Sequence, residues 1–184
     1  MAFALISHAP TSLRALGLGW MGLCIASLAM ALYAQHGLGM LPCPWCVLQR
    51  MIILASVACM LLILGSLRVP IALVLPILAN LVLQVAGIAA AGTQFLTASS
   101  SEQCDFGLAD RILMASGVEQ AWPWMFAAGT SCAEAATAKL FGVPFSLLAL
   151  GFFLLGLGLA LAMVRYAWRA FLGQGLAPAR GETA

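Results

Sequence analysis

Cys43-Pro44-Trp45-Cys46-Val47-Leu48-Gln49-Arg50 is the stretch with the clearest chemistry. Two thiols lie three positions apart, and an arginine follows the second by four. If the second half of the stretch is helical, Cys46 and Arg50 share one face, one turn apart. The guanidinium and the helix N-terminus then both stabilise a thiolate at Cys46. Pro44 suits the first helical turn, where its missing N–H costs nothing. A CxxC followed one turn later by a cation, at the mouth of an apolar helix, points to redox chemistry.

The elements that must position this stretch are apolar. The chain has 184 residues, 64% hydrophobic and 8% charged, with a mean hydropathy of +1.06. Soluble domains carry about 25% charged residues, so the composition is that of a membrane protein. A net charge of +2 gives no reason to expect nucleic acid. The fold class expected is all-α, a four-transmembrane-helix bundle forming a single integral membrane domain over 1–184. Its spans are predicted at about 15–35, 47–67, 70–91 and 144–164, each long enough to cross a bilayer. A cleaved signal peptide competes for the first span, because Ala29-Met30-Ala31 resembles a cleavage site. Its apolar run is longer than the usual signal core of about 7–15 residues. Pro76 is expected to kink or strain the third span. Asn80 and Gln84 fall on one face of it and should point into the bundle, as helix–helix hydrogen-bonding groups or as the lining of a cofactor cleft.

Between the spans lie a short loop, about 36–46, and a long one, about 92–143; a tail covers 165–184. The long segment holds five of the six acidic residues, Glu102, Asp105, Asp110, Glu119 and Glu134. Phe106–Met114 reads as a short amphipathic helix on the surface. Trp122, Trp124 and Phe126 flank Pro123 and suit the membrane interface. Of the eight basic residues, Arg14, Arg68, Arg165, Arg169 and Arg180 fall on one side and Arg50, Arg111 and Lys139 on the other. The positive-inside rule then puts both termini in the cytoplasm and both loops outside. In a Gram-negative cell, the loops face the periplasm and the membrane is the inner one.

This topology sorts the six cysteines. Cys24 and Cys59 fall inside spans and read as small packing residues. Cys59 is 13 residues beyond Cys46, roughly 20 Å along a helix at 1.5 Å per residue. Cys43, Cys46, Cys104 and Cys132 fall on the outward side, where disulfides persist. They could be structural staples, zinc ligands or two exchanging redox pairs. A bridge within CPWC closes a tiny loop and adds little stability by chain entropy, so exchange is its better use. Zinc usually takes a second close-spaced pair, and Cys104 and Cys132 are 28 apart. A thiol pair that gives up electrons needs an acceptor. No flavin, nicotinamide or haem-attachment motif is present. A quinone dissolved in the bilayer fits, at the depth of Cys46 and Arg50.

Taken together, these residues resemble the bacterial disulfide bond formation protein B (DsbB) family. Gln35-His36 at the end of the first span, CPWCVLQR, Cys104-Asp105-Phe106, Cys132-Ala133-Glu134 and Gly142-Val143-Pro144 carry the likeness over nearly the whole chain. The resemblance implies a membrane thiol oxidase that reoxidises a periplasmic DsbA-like dithiol oxidase and passes the electrons to ubiquinone or menaquinone. It implies the disulfides Cys43–Cys46 and Cys104–Cys132, catalytic roles for all four cysteines, and no resident metal. Arg50, Cys46, Gln49 and His36 are the expected quinone contacts. Some members carry a quinone-linked histidine near the outer end of the third span. Ala89-Ala90-Ala91-Gly92-Thr93-Gln94 has none, which leaves the quinone preference open. The rival class is a non-enzymatic membrane protein with structural disulfides or a zinc site.

The orientation can be tested directly. A reporter fused after Arg169 should be active only in its cytoplasmic form; activity only in the periplasmic form would refute the assignment.

Overall fold

The computed structural model describes residues 2–67, 69–99, 107–131, 134–135, 139–140 and 142–175. Among these, α1 spans Ala2–Gly37, α2 Pro44–Gly65, α3 Pro70–Ser99, α4 Leu108–Ser116, α5 Val118–Ala121, α6 Pro123–Phe126 and α7 Phe145–Gly175. Lys139–Leu140 (β1) pairs antiparallel with Val143–Pro144 (β2) and delivers the chain into α7. Four of the helices carry stretches long and apolar enough to cross a membrane: Leu13–Gly37, Pro44–Gly65, Ile71–Leu96 and Phe145–Arg169. The chain is an all-α membrane protein built on a four-helix bundle.

Helices are the natural solution for these segments, because a lipid environment offers no partner for a free backbone N–H or C=O. The four pack in a ring, α1–α2–α3–α7, with antiparallel neighbours and the α7–α1 seam closing it. α2 is the most enclosed: 50% of its span is buried, against 22–33% of the others. It is therefore the helix that the rest surround, and it is the helix that begins with the CxxC. The outer faces carry exposed Leu18, Ile25, Leu61, Leu75, Val82, Leu154 and Leu161. That much exposed apolar surface suits lipid rather than water.

Several expectations are corrected in extent. α3 does not end near residue 91 but runs on to Ser99, past Gly92, and it carries Pro76 without a break in the helix. Phe126 is not interfacial but buried at 2% exposure, whereas Trp122 and Trp124 are exposed at 60% and 59%. The surface helix lies at Leu108–Ser116, with Ala109 and Leu113 buried and Leu108 and Met114 exposed. Asn80 and Gln84 do point inward: Gln84 Nε2 donates to Asn80 Oδ1 and to Ser56 Oγ, each at 3.0 Å. Neither lines the cavity described below. Cys24 and Cys59 are buried among packing side chains.

The close approach of α3, α7 and α1 rests on glycines. A Cβ at Gly87 would come within 2.2 Å of the Phe153 ring, and one at Gly156 within 2.3 Å of Gln84 Oε1 and 2.6 Å of Trp20. Trp20 in turn stacks on Phe152 at 4.8 Å between ring centres. Overpacking of this kind costs about 1–3 kcal/mol. Gly87→Ala and Gly156→Ala should each lower the thermal unfolding midpoint in detergent. Gly19→Ala, where an added Cβ meets nothing within 4 Å, should not. Equal midpoints for all three would refute this packing.

Candidate active site

The site forms where α1 ends, α2 begins, α3 ends and the long loop folds back. Cys43 is the N-cap residue of α2, in extended conformation, with Pro44 at the first helical position. The helix starts there because Cys43 C=O accepts from Val47 N–H at 3.1 Å, and proline suits the first turn. Cys43 Sγ thus sits just outside the helix and Cys46 Sγ within its first turn, 3.1 Å apart. A disulfide needs about 2.05 Å, so a small movement joins them. Cys43 is wholly buried and Cys46 partly so.

Both loops converge on this pair. Gly129 N–H donates to Pro42 C=O at 3.0 Å, next to Cys43. Ala135 packs against Cys43, with Trp45 and Cys46 beside it. Ser131 closes the local turn that leads there: its Oγ accepts from Glu134 N–H at 3.2 Å and its carbonyl from Ala135 N–H at 3.0 Å. Residues on both sides of Cys132 therefore lie close to the CxxC. Cys104 and Cys132 themselves fall outside the described residues.

Arg50 is 5% exposed. Its Nη1 donates to Met125 C=O at 2.7 Å and to Gln35 Oε1, and its Nη2 to Ala31 C=O at 3.3 Å. These bonds run toward α1 and α6, and none reaches a sulfur. His36 Nε2 donates to Trp124 C=O at 2.8 Å, and Gln35 Nε2 to the same carbonyl at 3.4 Å. Trp124 and Met125 close a four-residue helix, whose last carbonyls have no partner within it. The end of α1 and the start of α2 supply those partners. His36 thereby holds the long loop and does not line the cavity.

Cys46 Sγ receives its hydrogen bond from α3. Gln94 Nε2 lies 3.1 Å from Cys46 Sγ and 3.6 Å from Cys43 Sγ. Gln94 Oε1 accepts from Gln49 Nε2 at 2.8 Å. Gln94 is a site residue that sequence reasoning missed. The signal was present: Asn80, Gln84, Gly87, Ala91 and Gln94 follow one another at spacings of four and three, the buried face of one helix.

A cavity of about 250 Å³ opens beside Cys46. Met30, Ala31 and Ala34 of α1, Ile53 of α2 and Leu148, Ala149 and Phe152 of α7 give it apolar walls. Cys46, Gln49, Arg50 and Gln94 form its polar end. A cavity of roughly 150 Å³ admits benzene, so this one has room for a single aromatic-sized ring. Among the described residues, no group of three His, Cys, Asp or Glu side chains is placed to hold a metal ion.

Disulfide bond formation protein B of Aromatoleum aromaticum is 49% identical over 39 residues, which cover 21% of this chain and 24% of that protein. The match thus spans about a quarter of the relative's length. The family model for disulfide bond formation protein DsbB matches residues 13–163, a stretch that enters all four spans and includes both loops. The chain belongs to the DsbB family.

Proposed function

We propose that this protein is a quinone-dependent disulfide oxidoreductase of the bacterial inner membrane, with cytoplasmic termini and a single membrane domain over 1–184. It reoxidises a periplasmic DsbA-like dithiol oxidase and so supports disulfide formation in other proteins. The observation that carries this reading is the position of Cys46. Its sulfur stands in the wall of an apolar cavity, 3.1 Å from a second thiol that lies under the long loop. A thiol pair so placed can exchange with a loop cysteine on one side and give up electrons to a lipid-soluble acceptor on the other. The cavity fits a quinone head group by its donor set: apolar walls for the ring, and an arginine and a glutamine at the polar end.

The reaction runs through two cysteine pairs. A thiolate of the reduced partner attacks the Cys104–Cys132 disulfide and forms a mixed disulfide with Cys104. Cys132, released as a thiolate, attacks Cys43 and forms an interloop bridge, and the electron pair of the broken Cys43–Cys46 bond moves to Cys46. The partner's second thiol then resolves its mixed disulfide, Cys104 recaptures Cys132, and Cys43 is released. Cys43 and Cys46 finally re-form their bond, losing two electrons and two protons. Arg50 and Gln49 would hold a ubiquinone or menaquinone at the polar end of the cavity, and that group would supply the acceptor for those two electrons and two protons. The packing of Ala135 on Cys43 supports the exchange step, since it brings the chain near Cys132 within reach of Cys43.

Two experiments test this reading. Purified protein supplied with a reduced DsbA-like substrate should consume two thiols for each quinone reduced. A Cys104→Ser variant should lose partner oxidation yet keep its Cys43–Cys46 bond. Thiol consumption without quinone, or undiminished turnover in the variant, would overturn the scheme. Absence of both reactions would leave the cysteines as structural staples.

Arg50→Met should raise the apparent quinone KM about tenfold or more, equivalent to about 1.4 kcal/mol. Arg50→Lys should do less, because lysine keeps the charge and loses the planar fork. Formation of the mixed disulfide at Cys104 is the control in both, because any slowing of it reports the loosened tether at the Met125 carbonyl and not quinone binding. Steady-state kinetics against quinone concentration decide, and a normal KM and kcat in Arg50→Met would remove Arg50 from the site.

A further inference from the structure

We infer that Gln94 is a catalytic residue: its carboxamide, held in one orientation by Gln49, donates a hydrogen bond to the Cys46 sulfur when charge arises there. The inference rests on the thiol relay proposed above. Three observations carry it. Gln94 Nε2 is 3.1 Å from Cys46 Sγ and 3.6 Å from Cys43 Sγ. Gln94 Oε1 is 2.8 Å from Gln49 Nε2. Both side chains are buried, at 3% and 7% exposure.

The orientation of the Gln94 amide follows from its neighbours. An amide has one accepting and one donating end. Turned one way, Gln94 presents its NH₂ to the sulfurs and its oxygen to a glutamine that can donate. Turned the other way, it would set a carbonyl oxygen against a sulfur that becomes negative. The first arrangement alone is consistent with a thiolate. Accepting from Gln49 also polarises the Gln94 amide and strengthens its N–H donation.

The need for such a donor arises at one step. When Cys132 attacks Cys43 Sγ, the Cys43–Cys46 bond breaks and its electron pair goes to Cys46 Sγ. The new thiolate lies in a low-dielectric site where an unpaired charge is costly. Arg50 contributes its positive charge from one turn away, but its hydrogen bonds are directed to Gln35, Ala31 and Met125. Gln94 provides direct donation, and bonds to a charged acceptor are the strong ones. The division of labour is then clear. Arg50 supplies field and holds the long loop, while Gln94 touches the reacting atom.

The test needs neither quinone nor partner. Full-length protein with Cys43→Ala, Cys104→Ser and Cys132→Ser leaves Cys46 as the outward thiol. Its alkylation by iodoacetamide at fixed pH is followed by mass spectrometry of the Cys46 peptide. Gln94→Met keeps the size and removes the donor. A tenfold loss of thiolate is partly offset by its greater nucleophilicity, with a Brønsted coefficient of about 0.4–0.5, so alkylation should slow about threefold. Gln94→Glu keeps the shape and replaces the donor with an anion, and should be slower still. Gln49→Met leaves the sulfur's neighbour in place and should slow the reaction less than Gln94→Met. If the Gln94 variants fail to fold, the Gln49→Met rate decides.

A wild-type rate in Gln94→Met, a Gln94→Glu variant no slower than Gln94→Met, or an unslowed Gln49→Met overturns the inference. In the protein with all its cysteines, Gln94→Met should also lower kcat for quinone reduction while Cys104 still forms its mixed disulfide with the partner. Normal kcat there, with quinone reduction intact, overturns the role of Gln94 and leaves the proposed function standing.

Discussion

A guanidinium cannot be buried at the end of a membrane helix unless its donors are satisfied, and this constraint organises the outer end of the bundle. Arg50 follows Cys46 by one turn and is almost fully enclosed. Its partners are a side chain and a carbonyl of α1 and a carbonyl of α6. One residue of α2 thereby fixes the end of the first span and the position of the long loop. Had these carbonyls been elsewhere, the charge would carry a penalty of several kcal/mol. The geometry around the thiols is in this sense a consequence of keeping a charge next to them.

The same bonds solve a second problem. α6 is only four residues long and cannot satisfy its own terminal carbonyls. Gln35, His36 and Arg50 do so from outside, at Trp124 and Met125. With those two carbonyls held, the chain beyond α6 runs on to the Gly129–Pro42 bond and to Ala135 on Cys43. The long loop is thus tethered on both sides of position 132. In the proposed reaction such tethering lowers the entropy cost of each exchange.

Much of this was legible in the sequence. Four apolar runs gave four helices, because in lipid no other backbone arrangement is open to them. The CxxC at the mouth of a span was visible from spacing alone, as was the sorting of Cys24 and Cys59 into the core. The ends of elements were less legible. The third span was expected to end near residue 91, yet the helix passes through Gly92, since flanking residues and tertiary packing outweigh one glycine's cost of about 1 kcal/mol. That error hid Gln94, which lies beyond the expected end. His36 was expected as a quinone contact from the family resemblance, whereas its Nε2 bonds to the Trp124 carbonyl. A backbone carbonyl across a long loop leaves no trace in residue types, so such partners are found only in three dimensions.

The two glutamines and the arginine also explain why the CxxC pair sits at a helix start and not in mid-span. At the N-terminus of α2 the unpaired first-turn amides and the helix dipole give positive potential. A pair placed two turns deeper would lose this, since interior amides are already bonded to carbonyls four residues back. A pair placed outside the bilayer would lose contact with the apolar cavity. The first turn is the position where dipole, arginine, glutamine donor and cavity wall coincide. Cys43 as N-cap faces the loop and Cys46, three residues on, faces the cavity. The CxxC spacing is what turns one helix end into a two-sided junction.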